Sequence, residues 1–282
     1  MRRLVQPGPV SAERIESFLD QCTRREVTLT PGLSLADAIT RPMAADAVQA
    51  AVLQIEGLAL DPLCCVMPGP SDGPAHVAYF SPPRTAVGHC LIEQANVTFG
   101  CMDGIPRLHC HASWVEADGT RRGGHILLEE SMVAAPCVVA AWTFRTLGIR
   151  AEPDPETNFP LLRPMRVKPA EDGATILARI RPNEDLCTAV ETLAQRHGLR
   201  DALLRSGLGS LIGATFMDGR AVPDDATEVL VRHGAVRDGV AEIDLAVVDM
   251  RGEVHFGRLA KGKNAVCITF DVVLEASAGA RP

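Results

Sequence analysis

The sequence predicts an α+β protein built from two tandem copies of one domain, residues 1–165 and 166–282. Three observations carry that reading. Two segments combine a helix cap with apolar residues at helical spacing, and most other apolar residues fall in short strand-like runs. In addition, a strand, turn, glycine, strand order recurs at an offset of 133 residues, laying "LHCHASWVEADGTRRGGHILLEE" (108–130) over the region of "VAEIDLAVVDMRGEVHFGRLAKG" (240–262). Two such long copies are a duplicated domain rather than a solenoid.

In the first copy, "PGLSLADAITRPMAADAVQAAVLQIEG" offers Ser34 and Asp37 as a capping box, a break near Pro42, and then a longer helix ending at Gly57. The run "LCCVMPG" reads as the strand that follows, and "DGPAHVAYF" (72–80) is set over "LGSLIGATF" (208–216). The five prolines of "PDPETNFPLLRPMRVKPAEDG" (153–173) mark a linker. Beyond it, "RPNEDLCTAVETLAQRHG" reads as a helix with Asn183 as N-cap, Glu184 and Asp185 in the first turn, Leu186, Val190, Leu193 and Ala194 on one face, and Gly198 as the stop.

Composition narrows the function classes. At 282 residues and 46% hydrophobic, the chain can bury two cores of ordinary domain size. No apolar run approaches the roughly 20 residues that span a bilayer, and "MRRLVQPGPVSAERIESFLD" has Pro and Gly where a signal peptide keeps its apolar stretch, so a cytoplasmic protein is expected. Nine cysteines without C-x-x-C spacing read as reduced, mainly buried thiols, excluding a disulfide scaffold and a zinc ribbon. A net charge of −7 with three lysines and no basic tract counts against DNA, whose non-specific binding needs clustered cations. No Walker loop, dinucleotide fingerprint or Ser-His-Asp order is present.

The chemistry concentrates at three histidines. A strand over "LHCHASWV" projects His109 and His111 from one face and Cys110 from the other. The turn "EADGTRRGG" returns the chain so that His125 comes opposite the pair, with a bulge at Gly123-Gly124 expected to absorb a count of six residues against eight about Gly119. Three imidazoles on two paired strands form an open nitrogen site that suits zinc, with nickel, manganese or iron left open. Around it, Glu129, with Glu93 and Glu130 behind it, is a candidate general base. Arg107, and also Arg84 and Arg163, are candidates to bind a substrate carboxylate. His89 is a candidate fourth ligand or a donor behind the ligands, and His76 is a similar one. At the offset of 133, His109, His111 and His125 become Glu242, Asp244 and Arg258, so the second copy is expected to keep the fold without the metal, its arginine pairing with the two carboxylates.

These residues resemble a known family. "HCHASWVEADGTRRGGHILLEE" resembles the signature of the plants-and-prokaryotes-conserved (PPC) domain, and "RIRPNEDLCTAVETLAQRHGLRDALLRSGLGSLIGATF" and "TPGLSLADAI" are similar to its opening. The resemblance implies a central, mainly antiparallel sheet in each of two copies and assembly as a homotrimer. Its histidines fall on His109, His111 and His125. Plant members join this domain to an AT-hook, whose Arg-Gly-Arg-Pro core does not occur here. The fold is also similar to acetolactate decarboxylase and to a zinc-dependent ester hydrolase, both of which hold a metal on three histidines. The expected function is therefore zinc-dependent lyase or hydrolase chemistry on a small oxygen-rich carboxylic acid or ester. The rivals are a DNA-associated regulatory protein without catalysis and a purely structural oligomer.

Overall fold

The structure is a computed structural model and describes residues 1–277; the last residues of the expected second domain, 278–282, lie outside the described residues. Its principal elements run β1 (Ile15–Asp20), β2 (Cys22–Leu29), α1 (Leu35–Ala45), β3 (Ala50–Ile55), β4 (Cys64–Val66), β5 (Cys90–Met102), β6 (Ile105–Val115), β7 (Arg121–Ile126), β8 (Cys137–Phe144), β9 (Leu147–Pro153), β10 (Pro160–Arg166), β11 (Thr175–Ile180), α2 (Leu186–Arg196), β12 (Ala202–Leu211), β13 (Thr227–Arg237), β14 (Val240–Val248), β15 (Val254–Arg258) and β16 (Val266–Ala276). The fold is α+β, as expected, and its two large sheets are antiparallel throughout.

The two large sheets repeat one strand order. One sheet contains β2-β8-β3-β5-β6-β7 and the other β11-β16-β12-β13-β14-β15, the same sequence of connections written twice. In each, the first two strands run parallel to one another with the last strand inserted between them. A helix makes that crossover, because a tight hairpin cannot join parallel strands. The N-terminal strand β1 pairs with β11, so the second sheet takes in residues that precede the first copy.

Each sheet buries one face under its helix. Leu35, Ile39 and Met43 of α1 pack with Leu53, Val97, Phe99, Cys110 and Trp114; Leu186, Val190 and Leu193 of α2 pack with Val229, Val231, Leu245 and Phe270. The opposite faces meet each other. There the strands carry polar side chains in alternation with the core residues: Asn96 and Thr98 beside Val97 and Phe99. Asn96 Nδ2 donates to the carbonyls of Gly207 and Val231 at 2.9 Å each, and Thr98 Oγ1 donates to Asp271 at 3.2 Å. Buried hydrogen bonds of this kind each contribute ~0.5–1.5 kcal/mol and fix the register between the sheets. An apolar cluster including Val52, Trp142, Leu177 and Val273 closes the rest of the interface.

Several local expectations are corrected. Residues 50–55 form a buried central strand rather than the continuation of a helix, and α1 runs through Pro42 to Ala45 without a break. A short, wholly buried apolar run does not distinguish the two by periodicity, and Gly57, in the left-handed region, ends the strand as well as it would a helix. It follows that β3, not "LCCVMPG", is the partner of β12 in the repeat, and that 72–80 does not lie over 208–216. The second helix is capped by Asp185, whose side chain accepts from Thr188 N–H at 2.9 Å. Asn183 instead takes the left-handed conformation and bonds the backbone of Leu4. The proline-rich stretch is largely the hairpin β9–β10. Its turn is held by buried ion pairs of Asp154 and Glu156 with Arg179, Arg181 and Arg14.

Candidate metal centre

The hairpin β6–β7 places the histidines. His111 and His125 are direct partners in its antiparallel ladder, and His109 lies two residues along on the same face. No bulge is needed, because the turn at 116–120 is centred one residue before Gly119, closing with Glu116 N–H on Thr120 O and Gly119 N–H on Glu116 O. The glycine pair serves close packing instead. A Cβ at Gly123 would stand 2.5 Å from Val248 Cγ2 of the second copy, and one at Gly124 would stand 2.6 Å from the Val66 carbonyl oxygen. Cys110 faces the other way into the helix-side core, where burial pushes its thiol up.

The three imidazoles converge, their candidate ligand nitrogens all lying within 4.8 Å of one another. His109 Nε2 and His111 Nε2 are 3.0 Å apart. Two ligands ~2.0–2.1 Å from a tetrahedral ion stand roughly 3.3 Å apart, so this pair needs little movement to share one. His111 Nδ1 donates to the Val229 carbonyl at 3.0 Å, which leaves the Nε2 lone pair pointing at the other imidazoles. His109 Nδ1 lies 3.7 Å from Asp271 Oδ2. The buried Nδ1 of His125 has no hydrogen-bond partner.

Electrostatics favour the neutral form of His111 and His125. Burial, followed by the charge of His109 and His125, holds His111 well below the ordinary histidine range, and burial followed by His109 pushes His125 down to about 3. Neutral imidazole is the form that ligates metal.

The second copy completes the pocket. Residues of β12, β13 and β16 line a cavity of about 380 Å³ with the three histidines, among them Ser210, Glu228, Thr269 and Asp271. Glu228 Oε1 is 4.0 Å from His111 Nε2, and its other oxygen is buried without a partner. Burial raises this carboxyl well above its ordinary range, offset in part by a hydrogen bond from the His125 backbone. Neither Glu228 nor Asp271 was legible as a site residue, since no local motif marks them and both arrive by packing of the second sheet.

Of the other candidates, Arg107 lines the same cavity from its exposed position on β6. His89 does not reach it: it pairs with Asp61 at 3.1 Å in an exposed position, nine residues before Thr98, the partner of His109, or roughly 30 Å along the strand direction. Glu129 and Glu130 are exposed in the turn after β7 and do not line the cavity. Glu93 forms a bidentate pair with Arg121, Arg84 is held by buried Glu116 and Arg163 by Glu16. His76 packs against Phe159 with ring centroids 4.4 Å apart and planes tilted by 53°.

The offset of 133 holds in three dimensions. Asp244 and Arg258 are direct ladder partners, as His111 and His125 are. Arg258 sits 3.3 Å from both Glu242 and Asp244, the pairing read from the sequence.

No helix is long and apolar enough to cross a membrane among the described residues. No curated protein matches the chain. Solved structures similar to it include a plant- and prokaryote-conserved (PPC) protein of Pyrococcus horikoshii, at 14% identity over 56% of this chain and 99% of that one, TM-score 0.40. A metal-containing protein of Archaeoglobus fulgidus matches at 16% identity over 54% and 99%, TM-score 0.41. A candidate DNA-binding protein of Bacteroides thetaiotaomicron matches at 12% identity over 52% and 98%, TM-score 0.38. The family model of the Plants and Prokaryotes Conserved (PCC) domain matches residues 167–277, the part of the chain without the three histidines.

Proposed function

We propose that the chain binds one divalent metal ion, zinc first, on His109, His111 and His125, and uses it for lyase or hydrolase chemistry on a small carboxylic acid or ester. The observation that carries the reading is the convergence of three imidazoles at the wall of a concave cavity, one of them locked in its tautomer by the Val229 carbonyl. On this reading residues 1–165 supply the ligands and residues 166–282 the opposite wall. The first copy is then a second PPC-type domain whose sequence has drifted from the family model while keeping its strand order.

When bound, the ion supplies Lewis acidity toward a substrate oxygen at its open position. The protein's own groups do the rest. Glu228, buried and with one oxygen free, is placed to hold or release a proton beside the histidines. Asp271 lies next to His109, and Arg107 presents a cation at the cavity's edge for a substrate carboxylate. The remaining parts of the proposal are a cytoplasmic location, supported by nine free cysteines, and a homotrimer, supported by the resemblance.

Elemental analysis tests the reading. The wild-type protein should carry close to one equivalent of transition metal, and His109→Ala and His125→Ala should each carry almost none. Equal metal content in all three removes the site. A DNA titration across salt concentrations is the complementary check: tight binding with a steep salt slope would favour the DNA-associated reading instead.

A further inference from the structure

The ligand end of the cavity is polar, but its body is not. Away from the histidines the wall is made by Tyr79, Phe80, Phe159, Leu161, Leu162 and Ile268. The aromatic rings form a continuous path from the candidate metal centre outward: Phe80 meets His125 edge-on at 5.3 Å between centroids, Phe159 lies 6.2 Å from Phe80, and Tyr79 stacks on Phe159 at 5.6 Å and 22°.

Apart from Ile268 on β16, this wall belongs to chain that the second copy lacks. Between the equivalent strands β3 and β5 the first copy runs through residues 56–89, where the second copy, between β12 and β13, needs only 212–226. The longer connection includes the short ladder of Pro68–Gly69 with Tyr79–Phe80 that brings both rings to the cavity. The turn before β10 adds Phe159, which is 9% exposed, and Tyr79 covers it while remaining 49% exposed itself. Half-exposed aromatic rings around a concave site at the small end of the ~300–1,000 Å³ range are the mark of a small-ligand pocket with an apolar body.

We infer that the substrate is a monocarboxylic acid or ester with an aromatic or medium-length aliphatic body, held with its oxygen end at the histidines and its apolar end between Phe159 and Leu162. This rests on the proposed function for the oxygen end and departs from the oxygen-rich substrate expected from the sequence. A compact polyoxygenated acid would leave the Phe80 and Phe159 faces in contact with water, and any hydroxyl reaching the apolar end would meet Phe159, Leu161 and Leu162, whose side chains offer no hydrogen bond. The first forgoes the gain from burying apolar surface, and the second carries the usual cost of unpaired polar groups.

Calorimetric titration of the full chain, as purified and after chelation, with 3-phenylpropanoate and with succinate tests the inference. The expected result is at least tenfold tighter binding of 3-phenylpropanoate in both preparations. Phe159→Ala and Tyr79→Ser should each reduce that preference severalfold while leaving metal content unchanged. Tyr79→Ser guards against misfolding, since that ring is largely solvent-exposed. Succinate binding as tightly as 3-phenylpropanoate, or a preference untouched by both variants, overturns it. The two readings fail separately: histidine variants that keep their metal sink the proposed function, whereas a metal-loaded protein that prefers succinate sinks only the apolar substrate class.

Discussion

Two places in this molecule share a backbone and differ in chemistry. On hairpin β6–β7 the paired positions are His111 and His125 with His109 beside them; on β14–β15 they are Asp244 and Arg258 with Glu242. The first set converges on a cavity, with His111 and His125 held well below the ordinary histidine range by burial and the far wall built by the other copy. The second set lines a cleft of about 340 Å³ together with Arg205, Arg232 and Arg237, and satisfies itself: Arg258 bridges two carboxylates and Arg237 takes up Glu242 at 2.9 Å. The same register thus yields a ligand-seeking site where lone pairs are left unpaired and a closed ion-pair network where they are not. Glycine stands at the equivalent position of both hairpins, Gly124 and Gly257. In each, a Cβ would collide with a neighbour, the Val66 carbonyl oxygen in one case and Phe216 in the other, both at 2.6 Å. The shared glycine is therefore a packing requirement of the fold, and the histidines are the part specific to one copy.

The strongest way to break the comparison is to convert the first site into the second. His109→Glu combined with His125→Arg changes the two half-buried positions and should abolish metal binding, from about one equivalent to background by elemental analysis, with the far-ultraviolet dichroism unchanged. Retained metal would mean that the ion sits elsewhere.

Next in size is Gly124→Ala. The new methyl group has no room against the Val66 backbone, so urea unfolding should show a loss of ~1–3 kcal/mol, the usual cost of overpacking. Gly257→Ala should cost less, because its contact is with the Phe216 side chain, whereas at Gly124 a φ of 156° adds strain to the contact with backbone. Equal losses at both sites would remove the distinction between backbone and side-chain contact.

A pH effect separates the copies further. In metal-free protein the folded His125 titrates at about 3, against ~6.5 in the unfolded chain. Between these values the unfolded chain binds a proton that the folded one refuses, so the melting temperature should fall as pH drops from 6.5 toward 3. His125→Gln should flatten that part of the profile, while Arg258→Gln should leave it as in the wild type. Parallel wild-type and His125→Gln profiles would contradict the assignment.

The smallest effect is expected at Arg258→Met. Its ion pairs are between a third and nearly half exposed, and such pairs contribute only ~0–1 kcal/mol after solvent screening, so chemical denaturation should move little. A loss above ~2 kcal/mol would show that the second site is a structural keystone rather than a filled vacancy.

The histidine site was legible because strand periodicity is rigid. Once 108–115 is a strand, His109 and His111 must share a face, and the offset of 133 picks out their counterparts without any alignment of relatives. What misled was local ambiguity. The buried run of β3 satisfies a helical pattern as well as a strand pattern, and the prolines of 153–173 look like a linker until their turn is seen locked by Arg179 and Arg181. Among the polar candidates, His89 and Glu129 were close to the motif in sequence, and nearness in sequence says little once a strand carries residues away at about 3.3 Å each.

By itself the sequence determined the α+β plan, the two helix sites, the free cysteines and the trio of histidines, since each depends on local periodicity, capping or residue chemistry. Only the tertiary structure decided which face of the second copy meets the first. That packing brings Val229, Glu228 and Asp271 to the histidines from more than a hundred residues away and surrounds them with the aromatic wall. The physical reason is that a sheet face is specified by alternation along the chain, whereas its partner is chosen by complementarity of buried hydrogen bonds and volume, which no short stretch of sequence contains.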